Sequence, residues 1–190
     1  MKQKILFGCT VLILILVQSC NREPNNSPLQ QKTKSQTNVM QLLQTIDSLG
    51  ILSEYNLDIV KDYIAKAEEF CANYPEDLMA AELLYQAGLM AMTLAKTSEN
   101  TEEKKIYSQK ALTFFEDIQK IYPEFYGIKN CIINKGIIYE DILHDYENAE
   151  IFYREYIARY PTDTLAINLE SYLPFLGKSP EEIMKEFGKE

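Results

Sequence analysis

The sequence predicts an all-α domain of antiparallel helix pairs stacked in a row, and three observations carry that expectation. From Val39 onward, apolar residues recur at helical spacing almost without a break. A Tyr-Pro dipeptide closes three amphipathic segments, at Tyr74-Pro75, Tyr122-Pro123 and Tyr160-Pro161. No window alternates as a strand would, and the β-branched clusters Ile132-Ile133 and Ile137-Ile138 fall within helix-period stripes.

The chain opens with Lys2 and Lys4, followed by an apolar run of thirteen residues from Ile5 to Val17. A membrane-spanning helix takes ~20 apolar residues, so this run reads as a secretory signal. Its end places Val17 at −3, Ser19 at −1 and Cys20 at +1, which resembles the lipobox of bacterial lipoproteins; Gln18 departs from the usual small residue at −2. The resemblance implies removal of residues 1–19 and acylation of Cys20 on its thiol and new amino group. Asn21 at +2 is not the aspartate of an inner-membrane retention signal, and no acidic run follows Cys20. The expected location is therefore the outer membrane, facing the periplasm.

Cleavage would remove two lysines and no acidic residue, taking the formal net charge from −9 to −11. Such a chain repels nucleic acid and anionic membrane surfaces. Residues 20–38 hold one large apolar residue, Leu29, among Asn, Gln, Ser, Thr, Pro and Lys. That composition predicts a lipidated cysteine on a flexible tether, reaching on the order of 25 Å as a coil.

The helical-repeat domain is expected over residues 39–190. Val39, Leu42, Leu43, Ile46 and Leu49 share one face, with Asn38 as N-cap and Gly50 as the stop. Further helices are expected over Leu57–Tyr74, Asp77–Ala95, Thr101–Tyr122, Phe125–Leu143, Tyr146–Tyr160 and Asp163–Leu176. The last begins at Ser179-Pro180-Glu181-Glu182, a capping box with proline in the first helical position. Proline cannot continue a helix and pushes the preceding residue towards extended geometry, so each Tyr-Pro ends one helix and permits the next.

The repeat extends beyond the prolines. Ala111 and Ala149 lie twelve residues before one; Ala67, Phe115 and Tyr153 lie eight before; Phe70, Ile118 and Tyr156 lie five before. Gly88 and Gly136 lie thirteen after Pro75 and Pro123. Leu84, Ala87, Gly88, Ala111, Phe115 and Pro123 in one unit, then Ile132, Gly136, Tyr139, Ala149, Tyr153 and Pro161 in the next, resemble the tetratricopeptide repeat. The likeness covers about residues 57–161. Prolines are 48 and then 38 residues apart, against a family unit of about 34. The fold expected is thus a short, divergent, right-handed superhelix of tetratricopeptide-like pairs with capping helices.

Chemistry-bearing constellations are sparse. Cys9 leaves with the signal and Cys20 carries lipid; the compartment permits a Cys71–Cys131 bridge, but cysteines on amphipathic helices read first as small buried hydrophobes. Metal-ligand spacings and phosphate-cradling glycine loops are missing, so no metal or cofactor is expected. The single histidine, His144, falls in an interhelical turn with no nucleophile placed beside it. Glu68-Glu69, Glu102-Glu103 and Glu181-Glu182 are consecutive, so they splay apart on a helix instead of facing each other. These residues make no catalytic set.

Thirteen tyrosines are the more suggestive surplus. In the repeat family the first helix of each pair builds a concave surface at fixed offsets from the internal glycine. Carried from Gly88, that offset implies Glu82, Tyr85, Gln86, Leu89 and Met92; from Gly136 it implies Asn130, Ile133, Asn134, Ile137 and Glu140. Leu89, Ile133 and Ile137 are equally readable as core. The expected function is a non-catalytic envelope lipoprotein whose repeat domain binds a protein or peptide. Its likeness is to the lipoprotein subunit of the outer-membrane β-barrel assembly machinery and related periplasmic adaptors. The alternatives are a self-associating structural lipoprotein and a small-ligand carrier or enzyme.

Overall fold

A computed structural model describes residues 27–49 and 57–187, whose regular structure is all helical, with no strand among them. The α-helices are α1 (Pro28–Leu49), α2 (Leu57–Asn73), α3 (Ala80–Thr97), α4 (Thr101–Ile121), α5 (Ile128–Ile137), α6 (Tyr146–Arg159), α7 (Thr164–Tyr172) and α8 (Pro180–Phe187). A π-helical turn, Ile138–Ile142, prolongs α5, and a 3-10 turn, Leu173–Phe175, prolongs α7.

Side chains specify most helix starts. Asn100 accepts from the backbone N–H groups of Glu102 and Glu103 at α4, Asp145 from Asn148 at α6, and Asp163 from Leu165 at α7. The capping box expected at α8 forms: Ser179 N–H donates to Glu182 Oε2 at 2.7 Å, and Glu182 N–H to Ser179 Oγ at 3.3 Å.

The tether is where the structure corrects the sequence reading. Residues 28–38 form the first half of α1, and Asn38 is a mid-helix residue, not a cap. Ser27-Pro28-Leu29-Gln30 is a second capping box, with Ser27 N–H on Gln30 Oε1 at 2.8 Å and Gln30 N–H on Ser27 Oγ at 3.3 Å. Lys32 then pairs with Asp77 at 2.8 Å. The polar composition belongs to a solvated helix face, while Val39 and Ile46 are fully buried on the other. The signal, Cys20, residues 21–26 and the Gly50 stop lie outside the described residues.

From α1 to α7 each helix packs on the next in the chain, most extensively α3 on α4. Tyr63 of α2 donates to the Leu83 carbonyl at 3.1 Å and Cys71 to that of Ala80 at 3.2 Å, so α2 and α3 are antiparallel. Helices two apart run parallel. Lys61 bonds Glu103 and Lys110 bonds Glu68, both across 42 residues, joining α2 to α4. Tyr126 bonds Glu82 across 44 residues and Lys96 bonds Asp141 across 45, joining the α5 segment to α3. Consequently all three Tyr-Pro turns lie at one end of the molecule with the start of α1, and the 98–100 and 143–145 turns lie at the other.

The Tyr-Pro turns are built alike. The N–H groups of Tyr74, Tyr122 and Tyr160 bond the carbonyls of Phe70, Ile118 and Tyr156, each at 2.9 Å. The N–H groups of Asp77, Phe125 and Asp163 then return to the three tyrosine carbonyls at 2.9–3.0 Å. Those closing bonds consume the residues after each proline, which delays α3 and α5 to Ala80 and Ile128, three residues later than the sequence suggested.

The core runs along the stack through Tyr63, Phe70, Leu83, Phe115, Ile118, Ile132 and Ile138, all fully buried. Burial of each such side chain contributes about 1.5–3 kcal/mol. Two glycines set the helix spacing. A Cβ on Gly88 would stand 2.7 Å from Phe115 Cε1, and one on Gly136 2.4 Å from Tyr153 Cε1. The repeated glycine and aromatic positions therefore meet in space, once per pair. Cys71 and Cys131 are free and buried, so the bridge the compartment would permit is not made; burial pushes both thiols up to about 12.

Candidate binding face across the first helices

The Tyr74-Pro75 and Tyr122-Pro123 turns aim α3 and α5 in the same direction, so residues one repeat apart become neighbours. Glu82 stands at the turn end of this face. It accepts from Gln86 Nε2 at 2.8 Å through one oxygen and from the Tyr126 hydroxyl through the other. One turn on, the Tyr85 ring is gripped by Phe115 at 6.0 Å and Phe125 at 5.7 Å between centroids. Its hydroxyl faces the side-chain amides of Asn130 and Asn134; burial raises its pKa and the two amides act against that rise.

Glu82, Tyr85, Gln86, Asn130 and Asn134 are thus brought together. An amide offers two donors and two acceptor lone pairs, so a contact to Tyr85 leaves both asparagines with bonding capacity. Leu89 and Met92 are half-buried and pack on the main core, and Ile133 packs on the core of α6 and α7. Ile137 is half-buried on the same helix as Ile133.

Glu140 is drawn elsewhere. Leu143 N–H bonds the Ile138 carbonyl at 3.0 Å, five residues back, closing a π turn that contains Glu140. Glu140 then accepts from the hydroxyls of Tyr153 on α6 and Tyr172 on α7. Burial first and the Glu140 carboxylate second hold both phenols well above their ordinary range. Lys129 reaches Asp163 at 3.0 Å, and these contacts carry the face onward to α7. Asp163 is held below the usual carboxylate range by the Leu165 N–H and then by Lys129. Sequence reasoning missed Tyr126 and Tyr172; their signal was a position about one repeat beyond Glu82 and Glu140.

His144 is exposed in a left-handed turn at φ 53°. It borders a cleft of about 410 Å³ with Asp141, Tyr146, Tyr172 and Ser179, but Ser179 caps α8 and Tyr172 holds Glu140. At neutral pH the buried Cys131 thiol stays protonated, unsuited to nucleophilic attack. Clefts of about 330 and 420 Å³ on the α1–α2 and α2–α4 faces are lined mainly by lysine, glutamate and amide side chains. Among the described residues no group of three or more His, Cys, Asp or Glu side chains stands ready for a metal, and no helix is long and apolar enough to cross a membrane.

Compared with protein-family models, with curated proteins and with solved structures, the chain matches none.

Proposed function

We propose that this chain is a non-catalytic lipoprotein of the outer membrane, anchored through Cys20, whose tetratricopeptide-like domain binds an extended peptide or protein segment in the periplasm. The face across α3 and α5 carries this reading. The amides of Asn130 and Asn134 meet the hydroxyl of a fixed tyrosine, Gln86 bonds Glu82 on the same helix, and Leu89, Ile133 and Ile137 on these two helices are half-buried. Peptide recognition needs that combination: donors and acceptors for a backbone, apolar ground for side chains, and little rearrangement on binding.

Three recurring Tyr-Pro closures, parallel alternate helices and two glycine–aromatic contacts support the tetratricopeptide-like reading of the stack. Pairs stacked this way bury a continuous core that one pair alone does not supply, with α1 and α8 as caps. A role in outer-membrane protein assembly is the specific form this proposal takes.

The test is affinity capture of the lipidated protein from solubilised membranes, alongside a Gln86→Arg/Asn134→Arg variant. A partner retained by the parent and lost by the variant is the expected result. Equal capture by both, or no reproducible partner at all, would sink the adaptor reading.

A further inference from the structure

The end of the molecule that carries the Tyr-Pro turns also exposes several large apolar side chains. Leu78 is 99% exposed and Tyr126 77%, with Leu29 at 72% and Ile121 at 52%. Leu29 lies in the first turn of α1, Leu78 follows Pro75, Ile121 precedes Tyr122-Pro123, and Tyr126 follows it. Pro75, Leu78, Ile121, Pro123 and Phe125 line a cleft of about 450 Å³ between two of these turns.

The same end is where the described chain begins. Lys32 bonds Asp77 beside the first Tyr-Pro turn, and Ser27 lies one turn further along α1 in that direction. Ser27 is seven residues from Cys20. Seven residues span at most about 25 Å even when fully extended. A lipid on Cys20 would therefore hold this rim within about 25 Å of the bilayer.

Chemistry fits the placement. Leucine and isoleucine favour the acyl boundary, and an exposed tyrosine suits the headgroup level, apolar on its ring and polar at its tip. Glu76 and Glu124 flank the cleft, so the surface suited to it is zwitterionic and not anionic. We propose that the Tyr-Pro end is a membrane-docking rim, with Leu78 and Ile121 touching the interface of a zwitterionic bilayer while the 98–100 and 143–145 turns point away. This rests on the lipid anchor proposed above.

The test uses full-length lipidated protein in vesicles of phosphatidylethanolamine and phosphatidylcholine, labelled with an environment-sensitive fluorophore at Leu78→Cys or at Glu99→Cys. Buried Cys71 and Cys131 leave the labelling selective. The expected result is flotation with the vesicles, blue-shifted emission at position 78, and iodide quenching there several-fold weaker than at position 99. Flotation with equal quenching at both positions would overturn the docking rim while leaving the anchor standing. Failure to float would overturn the anchor and the rim together. Equal shielding at position 78 in the Cys20→Ser protein without vesicles would assign the rim to contacts between protein molecules instead, and also overturn it.

Discussion

Gly136→Ala is the sharpest test of the stack, because two effects of opposite sign meet there. An alanine in an unobstructed helix interior would stabilise by about 1 kcal/mol over glycine. At Gly136 the added Cβ would lie 2.4 Å from Tyr153 Cε1 and 2.7 Å from Cδ1, so the ring must withdraw. A withdrawal of about 1 Å is needed to restore ordinary van der Waals separation. Tyr153 has little room to give, being 3% exposed and bonded through its hydroxyl to Glu140. Overpacking of this kind costs roughly 1–3 kcal/mol, and weakening the phenol–carboxylate bond adds about 1. The net expectation is a loss of about 1–3 kcal/mol. Urea unfolding of the soluble Cys20→Ser chain, followed by far-ultraviolet circular dichroism, reads it as a lower midpoint at unchanged slope. The cost should shrink in a Tyr153→Leu background, because the obstructing ring is gone. A Gly136→Ala protein about 1 kcal/mol more stable than its parent would refute the close approach.

Two further outcomes rest on named contacts. Ser27→Ala removes the cap that starts α1, and is expected to lower stability by ~1 kcal/mol and speed hydrogen exchange in the first turns of that helix; unchanged exchange there would contradict the capping box. Lys135 is 7% exposed, with its ammonium 4.3 Å from the Phe152 ring centre, and burial lowers its pKa. Because the folded protein holds this proton less tightly than the unfolded chain, stability attributable to Lys135 rises as pH climbs through the lowered pKa towards the unfolded value. Lys135→Met should remove that alkaline rise and be neutral or stabilising at pH 7; a stability profile identical to the parent's across that window would contradict it.

The fold was legible because its punctuation is local. Tyr-Pro, the 179–182 capping box and a continuous 3.6-residue pattern each act over a few residues, and the starts of the helices from α2 to α8 fall within three residues of where those signals put them. The start of α1 was misread for a physical reason. Composition judged residues 28–38 as solvated coil, while Ser27-Pro28-Leu29-Gln30 carried the same starting signal as residues 179–182. A helix with one dry face needs few apolar residues, and here Val39 and Ile46 supply it from further along. The candidate face was half legible. Repeat offsets placed Tyr85, Asn130 and Asn134 together, but the π turn that contains Glu140 has no local signature. Glu140 bonds Tyr153 and Tyr172, which lie 13 and 32 residues away.

The most direct test of a partner-binding face places a photo-crosslinking amino acid at Asn134, on α5, and separately at Gln109, on the α2–α4 face, in the lipidated protein within intact membranes. A discrete crosslinked protein at position 134 that is missing at position 109 is the predicted result. No product at 134 in any growth condition, or the same products at both positions, would contradict a binding face across α3 and α5.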